Sequence, residues 1–78
     1  MRIQIKLLAT YRQYLPPGST GSSYEMEVPA DTRVEALLPQ LPTPSDGSVV
    51  LVNGRGPQPG QTLQEGDVVC LFPAIAGG

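Results

Sequence analysis

Histidine and tryptophan are absent from this 78-residue chain, and cysteine occurs once, at Cys70. The missing imidazole removes the commonest general acid and base and the commonest transition-metal ligand. A single thiol without histidine composes no usual zinc site, so no metal is expected. It also closes no internal disulfide, which fits a reducing compartment. Positive charge is sparse as well: five Lys+Arg stand against seven Asp+Glu, for a net charge of −2, with no basic run. Non-specific nucleic-acid binding draws its affinity from phosphate neutralisation, so no nucleic-acid partner is expected. The longest apolar run, Val68 to Ala76, is nine residues, far short of the ~20 that a membrane span needs. No membrane partner is expected either. At the N-terminus Arg2, Gln4 and Lys6 alternate with Ile3, Ile5 and Leu7, a strand pattern rather than a signal peptide. A cytoplasmic protein follows by default, and one poorly equipped to be an enzyme by itself.

What the chain does contain is apolar residues in ordered patterns, punctuated by nine Gly and nine Pro. Its length allows one small domain with one core. Arg2 to Thr10 reads as a first strand with one buried and one wet face, Leu8 falling on the wet side. Tyr11 to Leu15 reads as a short turn or helical piece, and Pro16 to Ser23 as a loop. Tyr24, Met26 and Val28 alternate with Glu25 and Glu27, a second strand with an acidic outer face, expected to pair antiparallel with the first. Thr32-Arg33-Val34-Glu35 has the form of a capping box. Val34, Leu37, Leu38 and Leu41 follow on one helical face. Pro39 opposes that helix, so the regular turn should stop or kink near Leu38. Val49 to Val52 is an apolar strand running into an Asn53-Gly54 turn. Leu63 to Asp67 is a second turn, with Gly66 at its awkward dihedral. Val68 to Phe72 is the last strand, apolar throughout and therefore expected at the sheet centre. One helix on one face of a mixed sheet satisfies layer packing at this size, an α+β arrangement. The other face must lie under a loop or remain as an apolar patch, and such a patch would mark an interface.

The chain then ends in Pro73-Ala74-Ile75-Ala76-Gly77-Gly78, uncharged and finishing in two residues without side chains. We read 1–72 as the folded domain and 73–78 as an extended tail. Fully extended, that tail reaches roughly 20 Å. This is enough to carry the Gly78 carboxylate off the surface and down a narrow channel, where glycine lets backbone and partner approach closely. The bland alternative is a frayed or incidental end, because termini are where disorder concentrates. No other reactive group competes, so the Gly78 carboxylate is the candidate chemical centre.

Three segments carry a family likeness: Leu7-Leu8-Ala9-Thr10-Tyr11-Arg12, Val52-Asn53-Gly54, and Glu65 to Gly78 with its Phe72-Pro73…Gly77-Gly78 ending. On them the chain resembles the ubiquitin-like β-grasp sulfur carriers, most closely the small subunits of molybdopterin synthase. The likeness spans nearly the whole length. It implies a β-grasp fold with a flexible tail, and a protein without catalytic side chains that donates sulfur within a complex. It implies that a ubiquitin-activating-like adenylyltransferase consumes ATP to adenylate Gly78. A sulfur donor system then leaves a C-terminal thiocarboxylate, and the tail, Gly77 included, enters the large subunit of the synthase to serve molybdenum or tungsten cofactor synthesis. No bound cofactor is implied. Leu8 and Phe72 correspond to apolar residues of the family's partner-binding face, with Pro73, Ile75 and Ala76 continuing the contact along the tail. A third apolar position of that face falls near Gly56, which cannot supply the contact. Arg12 matches a basic position, read equally well as a solvated arginine. Cys70 should share an outer face with Phe72, while Val69 and Leu71 lie in the core. It reads as a small packing residue rather than a sulfur relay.

Alternatives stay open. Other carriers run the same chemistry for thiamine, cysteine or tRNA thiolation. Thiamine carriers usually lack the Phe-Pro before the tail, whereas cysteine-pathway carriers end in a similar Pro-Ala-aliphatic-Ala-Gly-Gly. A protein modifier would instead join Gly78 to lysines through isopeptide bonds, and an interaction module would carry an inert tail.

Overall fold

The computed structural model describes residues 1–44 and 46–74. Four strands form one mixed sheet: β1 (Arg2–Leu7), β2 (Ser23–Glu27), β3 (Ser48–Val52) and β4 (Val68–Pro73), in the order β2-β1-β4-β3. β1 pairs antiparallel with β2 and parallel with β4, and β3 pairs antiparallel with β4. The first and last strands therefore sit side by side at the centre, as the wholly apolar last strand requires. The single α-helix, α1 (Val34–Leu37), covers one face together with a 3₁₀ turn over Leu38–Gln40.

Alternation along each strand decides what that helix meets. Ile3, Ile5 and Leu7 of β1, Val69 and Leu71 of β4 and Val52 of β3 point inward, where they join Tyr11, Val28, Val34, Leu37, Leu41 and Leu63 in one core. The inward residues of the two central strands are at most 1 % exposed. Burying a side chain of this size contributes about 1.5–3 kcal/mol as an upper estimate, so this layer is the main source of stability.

The helix departs from its sequence pattern in two ways. No capping box forms: Thr32 Oγ1 donates instead to the Pro29 carbonyl at 2.6 Å, and Arg33 is the residue that precedes the first turn. The reason is long-range pairing. Arg33 forms an isolated bridge with Thr62, Leu63 N–H donates to Thr32 C=O at 2.8 Å, and Val34 N–H donates to Gln61 C=O at 3.0 Å. A backbone carbonyl thus takes the place that a side-chain cap would fill. Pro39 then ends the α-helix after Leu37, as expected, and the chain tightens into the 3₁₀ turn. Val34, Leu37 and Leu41 are buried, whereas Leu38 is only half-buried, because the tightened turn rotates it toward the groove beside Val50.

Strand ends also differ from the reading. β1 stops at Leu7 rather than Thr10, because Ala9 adopts φ 52° and the chain turns into a 3₁₀ helix over Ala9–Tyr14. Tyr11 from that helix is buried, and its hydroxyl lies 2.7 Å from Ser48 Oγ. Ser48 Oγ donates in turn to the Pro44 carbonyl at 2.9 Å, so the tyrosine is the donor of the pair. β2 begins one residue earlier than its pattern, at Ser23. At the other end β4 continues through Pro73, one residue further than the sequence places it.

Two turns pin the sheet's lower end. Asn53 (φ 51°) and Gly54 (φ 84°) make the tight two-residue reversal after β3, closed by paired bonds between Val52 and Arg55. In the turn before β4, Gly66 at φ 85° sends its N–H to Arg2 C=O at 2.8 Å. Asn53 ties the two together: its amide donates to Asp67 Oδ1 at 2.9 Å, and its Oδ1 accepts from Val68 N–H at 3.0 Å.

Candidate functional site

The helix covers only one side of the sheet, so the reverse face decides what this protein can touch. Register assigns its residues. Lys6 stands level with Cys70 across the β1–β4 pair, and Leu51 stands level with Cys70 across β4–β3. Val49 is opposite Phe72, and Gln4 is level with Val68. Leu8 keeps an extended backbone (φ −112°, ψ 167°), and its N–H donates to Leu71 C=O at 3.0 Å. The β1 alternation thus runs one residue past the strand and sets Leu8 beside Phe72.

The result is a divided surface. On the β4–β3 half, Val49, Leu51, Val68, Cys70 and Phe72 join Leu8 in an apolar stripe, every member half-buried and none covered by another element among the described residues. On the β1–β2 half the outward positions are Arg2, Gln4, Lys6, Ser23, Glu25 and Glu27. Arg2 Nε donates to Glu27 Oε1 at 3.0 Å, and that bond, with the nearby Glu25 carboxylate, raises the guanidinium's pKa above its ordinary value. Lys6, by contrast, makes no ion pair among the described residues, and neither does Arg12, exposed on the 3₁₀ helix after Leu8.

Three clefts among the described residues leave the apolar stripe itself untouched, one of them, of about 450 Å³, beside Asn53 and Gln58. The one of about 420 Å³ opens at the far β2 edge, beside Pro16, Pro17 and Tyr24. A narrower apolar one of about 190 Å³ runs on the helix side between Leu38, Pro44 and Val50. None includes Leu8, Phe72 or Pro73. The half-exposed stripe is an interface in form, not a cavity for a small substrate.

Of the residues singled out from sequence, the structure brings Leu8, Phe72 and Pro73 to one end of this stripe. Cys70 lies outward between Lys6 and Leu51, with Val69 and Leu71 inward, which is the expected parity. It packs within the stripe rather than in the core. Gly56, exposed after the Asn53-Gly54 turn, contributes no side chain. Ile75, Ala76, Gly77 and Gly78 lie outside the described residues. Sequence reasoning overlooked Val49 and Leu51. The signal for them was the unbroken Val49-Val50-Leu51-Val52 run, which on an edge strand leaves apolar groups on both faces.

The stripe is aimed by β4 itself. Phe72 closes it, Pro73 stands level with Ser48, and Ala74 N–H donates to Gly47 C=O at 2.7 Å. A partner seated on the stripe would therefore meet Pro73 and Ala74 directly.

Comparison with known proteins comes to the same fold. The family model described as the ThiS family matches residues 5–78. Among solved structures, the chain is similar to SAMP1 from Haloferax volcanii (24% identity, all of both chains covered, TM-score 0.70). It is also similar to a Pyrococcus furiosus protein described as molybdopterin converting factor, subunit 1 (24% identity, 95% of this chain and 98% of that one, TM-score 0.75). A second structure of the H. volcanii small archaeal modifier protein 1 matches at 24% identity over the same shares, with a TM-score of 0.67. At this identity the likeness is one of fold, and the curated proteins give no match.

Proposed function

The chain belongs to the ThiS family, the ubiquitin-like β-grasp sulfur carriers, and from that premise we propose that it is the small, sulfur-donating subunit of a molybdopterin synthase. Its reacting group is the carboxylate of Gly78. A carboxylate is a poor electrophile until it is joined to a good leaving group. An adenylyltransferase of the ubiquitin-activating type supplies that group: a Gly78 oxygen attacks the α-phosphorus of ATP, pyrophosphate departs, and an acyl adenylate remains. Sulfide-level sulfur from a donor system displaces AMP and leaves the thiocarboxylate. Held in the large subunit, the thiocarboxylate sulfur attacks the pterin precursor, and water cleaving the acyl–sulfur link returns the carboxylate. The adenylating and sulfur-accepting active sites belong to the partners. This chain contributes the reacting atoms and the surface by which it is gripped.

The observation that supports this best is the continuity of the apolar stripe with the strand that leads to the C-terminus. Leu8 and Phe72 form its near end, Pro73 follows directly, and Ile75 and Ala76 extend an uncharged path to Gly77 and Gly78. Docking on the stripe and insertion of the tail are then one event. The Phe72-Pro73 pair and the name of the Pyrococcus neighbour favour the pterin pathway among the carriers.

A second reading has its own support: two of the similar structures are of a small archaeal modifier protein. In that reading Gly78 is activated in the same way but is passed to a lysine amine. Intact-mass measurement after incubation with ATP, a sulfur source and an activating enzyme separates the two. Replacement of one oxygen by sulfur supports the carrier, and adducts on other proteins support the modifier. An unchanged mass with no adduct would leave the tail inert and overturn both. Co-purification with a large synthase subunit then distinguishes the pterin pathway from thiamine, cysteine or tRNA thiolation.

A further inference from the structure

The sequence places the end of the last strand at Phe72, but backbone pairing carries it further. Pro73 has no N–H and still stands level with Ser48 inside the β3–β4 pair. The next donor, Ala74 N–H, reaches Gly47 C=O at 2.7 Å, one residue beyond the end of each strand. Gly47 is held at φ 75° in the turn that enters β3, a conformation that points its carbonyl back at β4. A side chain placed on Gly47 would meet nothing within 4 Å, so the glycine is there for its backbone and not for want of room. One residue on, Ser48 is locked by Tyr11 and Pro44, which fixes the acceptor's own position.

We propose that the Ala74–Gly47 bond is a positioning contact for the C-terminal chemistry: it fixes the point and direction from which the C-terminus is presented to the activating partner. This rests on the sulfur-carrier reading and deepens it. The four residues from Ile75 to Gly78 can span at most roughly 14 Å. With the bond kept, the adenylating centre must lie within that reach of the β3–β4 end of the sheet, rather than within the longer reach of the whole Pro73–Gly78 segment. Without the bond, the partner must order at least one further residue whenever it binds, and ordering one backbone residue is equivalent to about a tenfold loss of affinity.

The test breaks the bond from its acceptor side without touching the tail. In Gly47→Val the β-branched residue is strained at positive φ and the turn re-forms with its carbonyl displaced, whereas Gly47→Asn tolerates that conformation. ATP-dependent pyrophosphate release by the activating enzyme is followed against carrier concentration. Gly47→Val is expected to raise the apparent KM for the carrier about tenfold at unchanged kcat, and Gly47→Asn to restore it. A purely structural glycine would lower the thermal midpoint of Gly47→Val and leave KM alone, and that result overturns the proposal. Ala74→Pro, which deletes the donor, should reproduce the KM change. Should Gly47→Val fail to fold, amide exchange in the wild-type chain decides. Protection of the Ala74 N–H, kept when the partner binds, supports the contact, and fast exchange refutes it. Failure of the wild-type chain to be adenylated at all would instead sink the carrier reading, and this role with it.

Discussion

Phe72 shows how much a single side chain can be asked to do here. It is half-buried on the sheet's reverse face, opposite Val49 and beside Leu8, and it is the last residue of β4 before Pro73. Partly buried aromatic groups typically carry a disproportionate share of an interface's energy, even where, as here, they close one end of the patch. Phe72→Ala is therefore expected to weaken binding to the activating enzyme or the large subunit about tenfold or more. Titration calorimetry should show that loss while the thermal midpoint stays nearly constant, and unchanged affinity would remove Phe72 from the interface. Tyr24 offers a second test at this scale. Burial alone raises its phenol above the ordinary value of 10.0. Folding thus favours the protonated form. The contribution is fully present below pH 10 and is lost as pH rises through the raised folded value. Denaturation midpoints measured on the alkaline side should fall less steeply for Tyr24→Phe than for the wild type.

At the scale of elements, the Asn53 turn carries more than its dipeptide suggests. The Asn-Gly pair was legible in the sequence as a reversal, and its two positive φ angles bear that out. The amide's bonds to Asp67 and to Val68 N–H, which couple this turn to the one before β4, were not legible. Only the fold brings residues separated by 14 or 15 positions together there. Asn53→Ala loses both bonds and sits poorly at positive φ, so it should cost about 2–3 kcal/mol in chemical denaturation. Asn53→Gly keeps the backbone and should recover part of that cost. The helix teaches the converse lesson. Periodicity located Val34, Leu37 and Leu41, and Pro39 located the stop. The Thr32–Glu35 pattern nonetheless made no cap, because the Gln61 carbonyl, far along the chain, satisfied the N-terminal turn first. Local patterns describe what a segment can do alone, and long-range pairing decides which option is used.

For the whole molecule, the antiparallel first pair and the central place of the wholly apolar last strand followed from the sequence, whereas the parallel β1–β4 pairing and the edge place of β3 did not. The direction of the stripe and the place where the tail departs did not, because both depend on register between β3 and β4 that no spacing in the sequence specifies. The working assignment places the chemistry at Gly78 and the stability in the layer of Ile3, Ile5, Leu7, Val69 and Leu71. Deleting Gly78 is accordingly expected to abolish adenylation while leaving the thermal midpoint within error. Loss of both together would tie the tail to the core and contradict the assignment.

The central pair of strands has a mechanical side. β1 opens the fold and β4 closes it, and they lie parallel and hydrogen-bonded to each other. A load applied between Met1 and Ala74 therefore strains all of their shared bonds in shear at once, where a load that peeled β2 or β3 from an edge would open bonds one by one. Single-molecule pulling through those two points should meet a high rupture force, and pulling through β2 a low one. By this arrangement the fold is hardest to unravel along the line that joins its first strand to its last.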